Sequence, residues 1–420
     1  METKVKYIPL EEITSKIGSG ATPRGGDESY KESGISLIRS LNVYNFAFSY
    51  KNLAFIDDNQ AAKLKNVTVL TNDILLNITG ASVGRCCIVP DDILPARVNQ
   101  HVAIIRINQS IAVPRYIYYV INSSTYKNAL LSLSETGTTR EALTKDDISR
   151  FKIPFPSLIV QQQIAAILTA YDDLIETNNQ RIATLEAIAQ QIYKEWFVRL
   201  RFPNWEHTPF HHGIPDGWEV CRLESLCRNL TDGTHDTPKP TSYGHFLITG
   251  KHINEENFID FLGAYFISED DHIKISNRSG LDEGDIIFSN IGTIGSCAVI
   301  KGEKDFSVKN VLIFKPKENY LTTFLFYLLT NKSTLEQLLL SSSGASQQFI
   351  GLTFARDFKV LVPNDNLLKD FNKLVEPLME KKYALNESNQ VLTKTRNLLL
   401  PRLISGKLTL KQATQQITSL

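Results

Sequence analysis

No apolar run in the chain approaches the roughly 18 residues that a membrane-crossing helix needs. The opening segment METKVKYIPLEE lacks the apolar core of a signal peptide, so a cytoplasmic location and no membrane partner are expected. The 5 cysteines are odd in number and nowhere spaced C-x-x-C, which argues against a disulfide framework and against a cysteine zinc site. Cys86 and Cys87 are adjacent, which suits neither use, and buried free thiols are expected. Charge of one sign is also missing, because 45 basic residues balance 45 acidic ones. A protein that grips nucleic acid non-specifically is usually more basic. The balance is uneven along the chain: residues 1–156 carry 18 Lys+Arg against 15 Asp+Glu, and residues 214–363 carry 14 against 19.

Enzyme signatures are equally scarce. There is no Asn/Asp-Pro-Pro-aromatic tetrapeptide of an amino-methyltransferase, no G-x-G-x-x-G after a strand, no Walker A motif and no H-E-x-x-H. The Asp and Glu residues form no nuclease-like triad with lysine. A catalytic centre is therefore not expected in this chain. His207, His211 and His212 lie close together, but Pro209 breaks the helix that a His-x-x-x-His pair would need, so no metal site is read there.

What the chain does have is a long helix. Between Pro156 and Pro203, apolar residues fall at Ile164, Leu168, Tyr171, Ile175, Ile182, Leu185, Ala189, Ile192 and Trp196 in alternating steps of four and three, with Asn178 as the one interruption. About 40 helical residues at 1.5 Å each make a rod of roughly 60 Å. Such a narrow stripe needs cover. A second seam repeats Phe371, Leu378, Leu385, Leu392 and Leu399 every seventh residue, with Val375, Lys382, Asn389 and Arg396 beside it. An ordinary amphipathic helix lying on its own domain is the simpler reading. Two rods of similar length, each after a globular block, favour an intramolecular antiparallel coiled coil, with Asn178 and Asn389 as residues that fix its register.

The blocks before the rods repeat each other. Residues 1–156 carry strand-like runs at Ile35–Ile38, Val67–Leu70, Asp73–Ile78, Cys86–Val89 and Val102–Ile107, a helical patch at Pro114–Leu133 and a closing strand at Phe151–Pro156. Asp73–Leu76 returns as Asp285–Phe288, Ala81–Cys86 as Gly292–Cys297, Val98–Gln100 as Val308–Asn310, Gly137–Arg140 as Gly344–Gln347, and Phe151–Ile153 as Phe358–Val360. The fold class is thus α+β: a domain at 1–156, a long helix at 157–203, a linker and second domain at 204–363, a second long helix at 364–410 and a tail at 411–420. A duplicated, pseudo-two-fold arrangement suits a bipartite target such as double-stranded DNA read in two half-sites, with the rods as a ruler.

Candidate contacts to DNA sit in the loops. Arg24 tips the glycine-rich Ile17–Gly26 loop, whose counterpart is Thr231–Lys239 with Thr234, His235 and Lys239. Arg39, Asn42, Arg85, Asn99, Gln100 and Arg140 in the first block, and Lys251, Asn290, Lys309 and Gln347 in the second, complete the set. Arg reads guanine bidentately, and Asn or Gln reads adenine. Asp232 and His235 invite an acid–base reading, but no nucleophile has a matching spacing.

Seven stretches together resemble the specificity (S) subunit of type I restriction–modification systems. They are IGSGATPRGG with GISLIRSLNV, ITGASVGRCCIVP with ARVNQHVAIIR, QRIATLEAIAQQIYKEWFV, TDGTHDTPK, and LLLPRLISGKL. The resemblance implies a non-catalytic subunit with two target-recognition domains, each reading half of a bipartite DNA sequence. It further implies two methyltransferase (M) subunits that use S-adenosylmethionine, and up to two restriction (R) subunits that use ATP and Mg. The acidic second domain and the polar seam at Lys382, Asn389 and Arg396 depart from the family pattern and read as partner-facing surfaces. A methyltransferase carrying its own recognition domains, and a coiled-coil adaptor without DNA readout, are the competing readings.

Overall fold

The computed structural model describes residues 6–134, 142–302, 304–340 and 349–408. Its contacts divide the chain into two compact units, Met1–Thr177 with Ser388–Leu420, and Asn178–Glu387. The division cuts through both long helices, because each helix gives part of its apolar seam to each core.

In the first unit, Val102–Ile107 pairs antiparallel with Thr14–Ser19 on one side and with Ile74–Asn77 on the other, and Cys86–Ile88 adds an edge. Successive side chains of a strand point to opposite faces, and the cores follow that rule. Ile74, Leu76, Ala103 and Ile105 join the core that contains the helices, whereas Leu75, Val102 and Ile104 join the core beneath a second sheet. That sheet runs Ala54–Ile56, Ile35–Ile38, Ala96–Val98, Thr68–Val69, with the middle two strands parallel. Tyr7–Pro9 pairs with Lys152–Pro154 to close the domain.

The second unit is built the same way. Cys227–Asp232, Val311–Pro316, Ile286–Ser289 and Cys297–Val299 form the first sheet, in that order. Tyr265–Ile267, His245–Ile248 and Phe306–Val308 form the second, again with one parallel pair. Ile286 and Phe288 face the helical core, and Ile287 faces the other. Glu219–Arg222 pairs with Lys359–Val362 as the closing strands.

A buried carboxylate at the start of one central strand is paired with a cation on its neighbour in both units. Arg106 forks onto Asp73 at 2.7 and 2.8 Å, and Lys315 pairs with Asp285. The free thiols Cys86, Cys87, Cys227 and Cys297 are buried, and burial pushes Cys86 and Cys227 up to about 12. They are core side chains at neutral pH.

The helical patch after the first sheet is two helices, Pro114–Asn122 and Ser124–Ser134, because Ser123 adopts an extended conformation between them. The first long helix spans Leu158–Tyr193 and ends in a π-turn at Lys194–Val198, and the second spans Asp365–Ile404. Within the first unit, Ile164, Leu168 and Tyr171 share a core with Leu392, Leu399 and Leu403, and Ile175 packs against it. Within the second, Ile182 packs with Leu385 and the partly buried Leu185, while Ala189 and Tyr193 pack with Phe371 and Val375, flanked by Ile192 and Leu378. Asn178 and Asn389 are also buried. Contacts of 182 with 385, 186 with 382 and 193 with 371 run in opposite directions along the two helices, so they pack antiparallel. The same cores contain sheet residues, so each seam covers its domain as well as the other helix.

The polar seam requires a correction. Lys382 and Arg396 do not face outward to a partner; both are buried. Lys382 pairs with Glu186 at 2.7 Å and Arg396 with Asp172. A charge left alone in such a place would cost several kcal/mol, about 3–5 by analogy with broken buried pairs. The linker histidines take another form: His211 lies in a small hairpin of Phe210–His211 with Ile214–Pro215, and His211 and His212 are exposed.

Candidate nucleic-acid interface

In each unit the glycine-bearing loop after the first strand of the main sheet crosses the turn that follows the parallel pair. In the first, the Gly20 amide donates to the Asn99 carbonyl at 3.1 Å, and the Ala21 amide to the Val98 carbonyl at 3.1 Å. A Cβ on Gly20 would sit 1.8 Å from the Val98 oxygen. In the second, the Gly233 amide donates to the Val311 carbonyl at 2.9 Å and the Thr234 amide to the Val308 carbonyl at 3.0 Å, and a Cβ on Gly233 would sit 2.5 Å from the Val308 oxygen. The glycines are there because two backbones touch.

Polar side chains gather on this crossing. Thr22 donates its hydroxyl to the Gln100 side-chain carbonyl, and the Gln100 amide nitrogen lies 3.2 Å from Nε2 of His101. His101 Nδ1 is 2.6 Å from the Thr79 hydroxyl, which ties in the Gly80–Arg85 turn. Gly80 and Gly84 both have positive φ there, at 71° and 78°. Arg85 lies over the Tyr44 ring, 4.6 Å from its centroid. Arg24 and Gln100 are exposed, and Arg85 is half-buried. Stacked or hydrogen-bonded in this way, Arg85 and Gln100 are restrained, which reduces the entropy lost on contact with a base or phosphate.

The second unit presents a parallel set. Lys309 donates to the Thr237 hydroxyl across the crossing, and the Asp236 amide donates to the Thr234 hydroxyl at 3.1 Å. His235 and Lys239 are exposed on the loop, and Lys251 is exposed on the Gly250–His252 turn. Asp232 is buried between Arg278 and His235, with His235 Nε2 at 2.8 Å. It anchors the loop, and the arrangement supplies hydrogen-bonding groups rather than a nucleophile and base.

Three predicted contacts belong to the interior instead. Asn42 is fully buried: its Oδ1 accepts the Arg39 amide at 3.0 Å and its Nδ2 donates to the Ser49 and Lys51 carbonyls. It holds a turn and has no group left for a base. Asn290 is buried and donates to the Ile350 carbonyl at 3.0 Å. Asn99 is buried too, and its Oδ1 accepts the His101 amide at 3.1 Å. Arg39 is half-committed, donating to the Asn52 carbonyl at 2.7 Å, 3.5 Å from Asp27 and over the Tyr30 ring. Arg140 and Gln347, with their loops, lie outside the described residues. Thr79 and Arg278 escaped the sequence reading, whereas Thr22 and Thr237 lie in the two loops it singled out and His101 follows its candidate Gln100.

The family model described as "Type I restriction modification DNA specificity domain" matches residues 2–187 and 215–374. Among curated relatives, the type I restriction enzyme MjaIX specificity subunit of Methanocaldococcus jannaschii is 26% identical, over 98% of this chain and 96% of that protein. The HindI specificity subunit of Haemophilus influenzae is 22% identical, over 89% of this chain and 94% of the relative. The crystal structure of a type I restriction-modification S subunit from M. genitalium superposes with a TM-score of 0.55 at 14% identity, covering 96% of this chain and 97% of that one, which shows a shared fold. With a match to each half, in the order that the repeated sheets and loops require, the chain belongs to the type I restriction–modification DNA specificity family.

Proposed function

We propose that this chain is the DNA-recognition subunit of a type I restriction–modification complex, with each domain reading one half of a bipartite double-stranded target. The observation that carries the reading is the duplicated loop crossing at Gly20/Val98 and Gly233/Val308, the first dressed with Thr22 and the exposed Gln100 and Arg24, the second with Lys309 and the exposed Thr237 and Lys239. Phosphate contacts from Arg24, Lys239 and Lys251 would set the position of each domain on the duplex, and Gln100, Arg85 and Lys309 would meet base edges. The long helices set the spacing of the half-sites and dock two methyltransferase subunits. Methyl transfer from S-adenosylmethionine to adenine takes place on those subunits, and ATP- and Mg-dependent cleavage on restriction subunits where they are present. No helix among the described residues is long and apolar enough to cross a membrane, in keeping with a DNA-bound role.

The deciding experiment is genome-wide mapping of methylated adenine in cells with the cognate methyltransferase, with and without this chain. A split motif with a fixed gap, present only with the chain, is the expected result. Unchanged methylation despite a stable complex would favour the adaptor reading.

A further inference from the structure

The second unit carries a cluster that DNA reading does not use. The strand His245–Ile248 runs parallel to Phe306–Val308 with Phe246 opposite Phe306, and this register sets His245 beside Asp305. The helix Glu269–Ser279 packs on the same strand pair and brings in His272. The Asp305 carboxylate lies 2.8 Å from His245 Nδ1 and 3.4 Å from His272 Nε2, and the three ligand atoms all fall within 4.8 Å of one another. Three residues far apart in sequence have no ligand spacing to read, which is why the cluster is silent until the chain is folded.

The other nitrogen of each ring is already engaged. His245 Nε2 lies 2.6 Å from Glu269, and His272 Nδ1 lies 3.0 Å from the Ser307 hydroxyl. If those nitrogens carry the protons, the lone pair of His245 Nδ1 faces the Asp305 carboxylate and that of His272 Nε2 lies 3.4 Å from both the carboxylate and the Ser276 hydroxyl, and a cation between the two nitrogens would relieve the contacts with the carboxylate. A carboxylate behind a ligating imidazole is the usual outer support of a metal-bound histidine. Bonds of about 2.0–2.2 Å place ligand atoms roughly 3.3 Å apart around a tetrahedral Zn2+, near the 2.8 and 3.4 Å seen here. The two rings stack at 3.9 Å and 10°, so binding would draw these nitrogens together and tilt the rings apart at their far edges.

The surroundings give the ion a purpose. The helix Glu269–Ser279 buries only Ile275 and Ser279, and its local core consists of Leu247, Ile267 and Ile275. The corresponding place in the first unit is apolar. Ile35 stands where the second has His245 (245 − 35 = 210) and buried Ala61 where it has His272 (272 − 61 = 211), both in one hydrophobic cluster. A small core that lacks apolar contacts commonly relies on a staple such as a structural metal.

We propose that His245, His272 and Asp305, supported by Glu269, form a structural site for one divalent transition-metal ion of the Zn2+ class, which fastens the helix Glu269–Ser279 to the smaller sheet of the second domain. The proposal is independent of the DNA reading. The test uses the full chain without a histidine tag, stripped with chelator and titrated with Co2+ and Zn2+. One equivalent of Co2+ should bind with a visible absorption band, Zn2+ should displace it and raise the melting temperature, and His272→Gln or Asp305→Asn should weaken binding at least tenfold. A triple His207→Gln/His211→Gln/His212→Gln variant should bind like the parent. Binding unchanged in His272→Gln, or no binding by a folded parent chain, would overturn the proposal. A stability gain that follows pH and ignores metal would also overturn it, leaving a proton-linked histidine pair. Circular dichroism of each variant in chelator separates loss of the site from loss of the fold.

Discussion

Asp172 on the first long helix and Arg396 on the second form an ion pair inside the first unit, with the Tyr119 hydroxyl donating to the other carboxylate oxygen and the Phe46 ring 3.8 Å beneath the guanidinium. Glu186 and Lys382 repeat the arrangement in the second unit, with the Tyr327 hydroxyl on the carboxylate and Phe258 beneath the ammonium. The pairs are counterparts under the repeat: Asp172 corresponds to Lys382 and Glu186 to Arg396, since 382 − 172 and 396 − 186 both equal 210. Both acids are therefore on the first helix and both bases on the second. Two copies of the first helix packed in the same antiparallel way would set Asp172 against Glu186, so the charges select the unlike pairing. Arg396→Glu should cost about 3–5 kcal/mol in denaturant unfolding. The reversed pair Asp172→Arg/Arg396→Glu should recover part of that, because the Tyr119 and Phe46 contacts do not reverse with it. Full additivity of the two single losses would remove the pair from the account.

The loop crossings give a sharper test of the recognition surface. Gly20→Ala and Gly233→Ala each press a methyl group into a carbonyl oxygen, whereas Gly18 has open space around its Cβ position and no positive φ. Gly20→Ala should degrade recognition of one half-site and Gly233→Ala that of the other, while Gly18→Ala should leave both intact. Methylation at mapped sites reads the result. Loss of both half-sites from either glycine would place the crossings in the shared framework instead.

Surface cations and interior amides should behave oppositely. Replacing Arg24, Lys239 or Lys251 with Ala should weaken DNA binding across all sequences and lower the salt slope by about 1 each, with little effect on melting. Asn42→Ala strips the buried partner from the Arg39 amide and the Ser49 carbonyl, at about 1–3 kcal/mol of stability. Salt slopes from binding isotherms, beside urea unfolding of the same variants, separate the two classes. An Asn42→Ala chain that keeps its stability and loses one base preference would restore Asn42 to the interface.

The sequence disclosed what is periodic or repeated. The heptads located both rods because a stripe of apolar side chains has one geometric meaning at 3.6 residues per turn, and the duplication aligned strands whose sheets match. It could not tell interior polar residues from surface ones. Asn42 and Gln100 are both amides in turn-like segments, and only the fold shows that carbonyls surround one and solvent the other. The same blindness made Lys382 and Arg396 look like partner contacts. Their acids are 196 and 224 residues away in the chain, and no local pattern joins them.

His252 occupies the place of Asn42 in the second unit, and it brings a pH dependence that Asn42 lacks. Its Nδ1 accepts the Thr249 amide at 2.9 Å, as Asn42 accepts that of Arg39, and the ring is buried. Burial, aided by the nearby Lys251 charge, holds its pKa below the ordinary 6.5. The unfolded chain therefore takes up a proton as pH falls through about 6.5 while the folded chain resists it. Stability from this group is complete above that pH and is lost as the pH drops toward the lowered folded value. His252→Asn keeps a side-chain acceptor for the Thr249 amide and removes the titration. Its unfolding free energy should match the parent's near neutral pH and exceed it near pH 5, the gap opening between the two. Parallel pH profiles for parent and variant would mean that His252 is free to protonate in the folded domain.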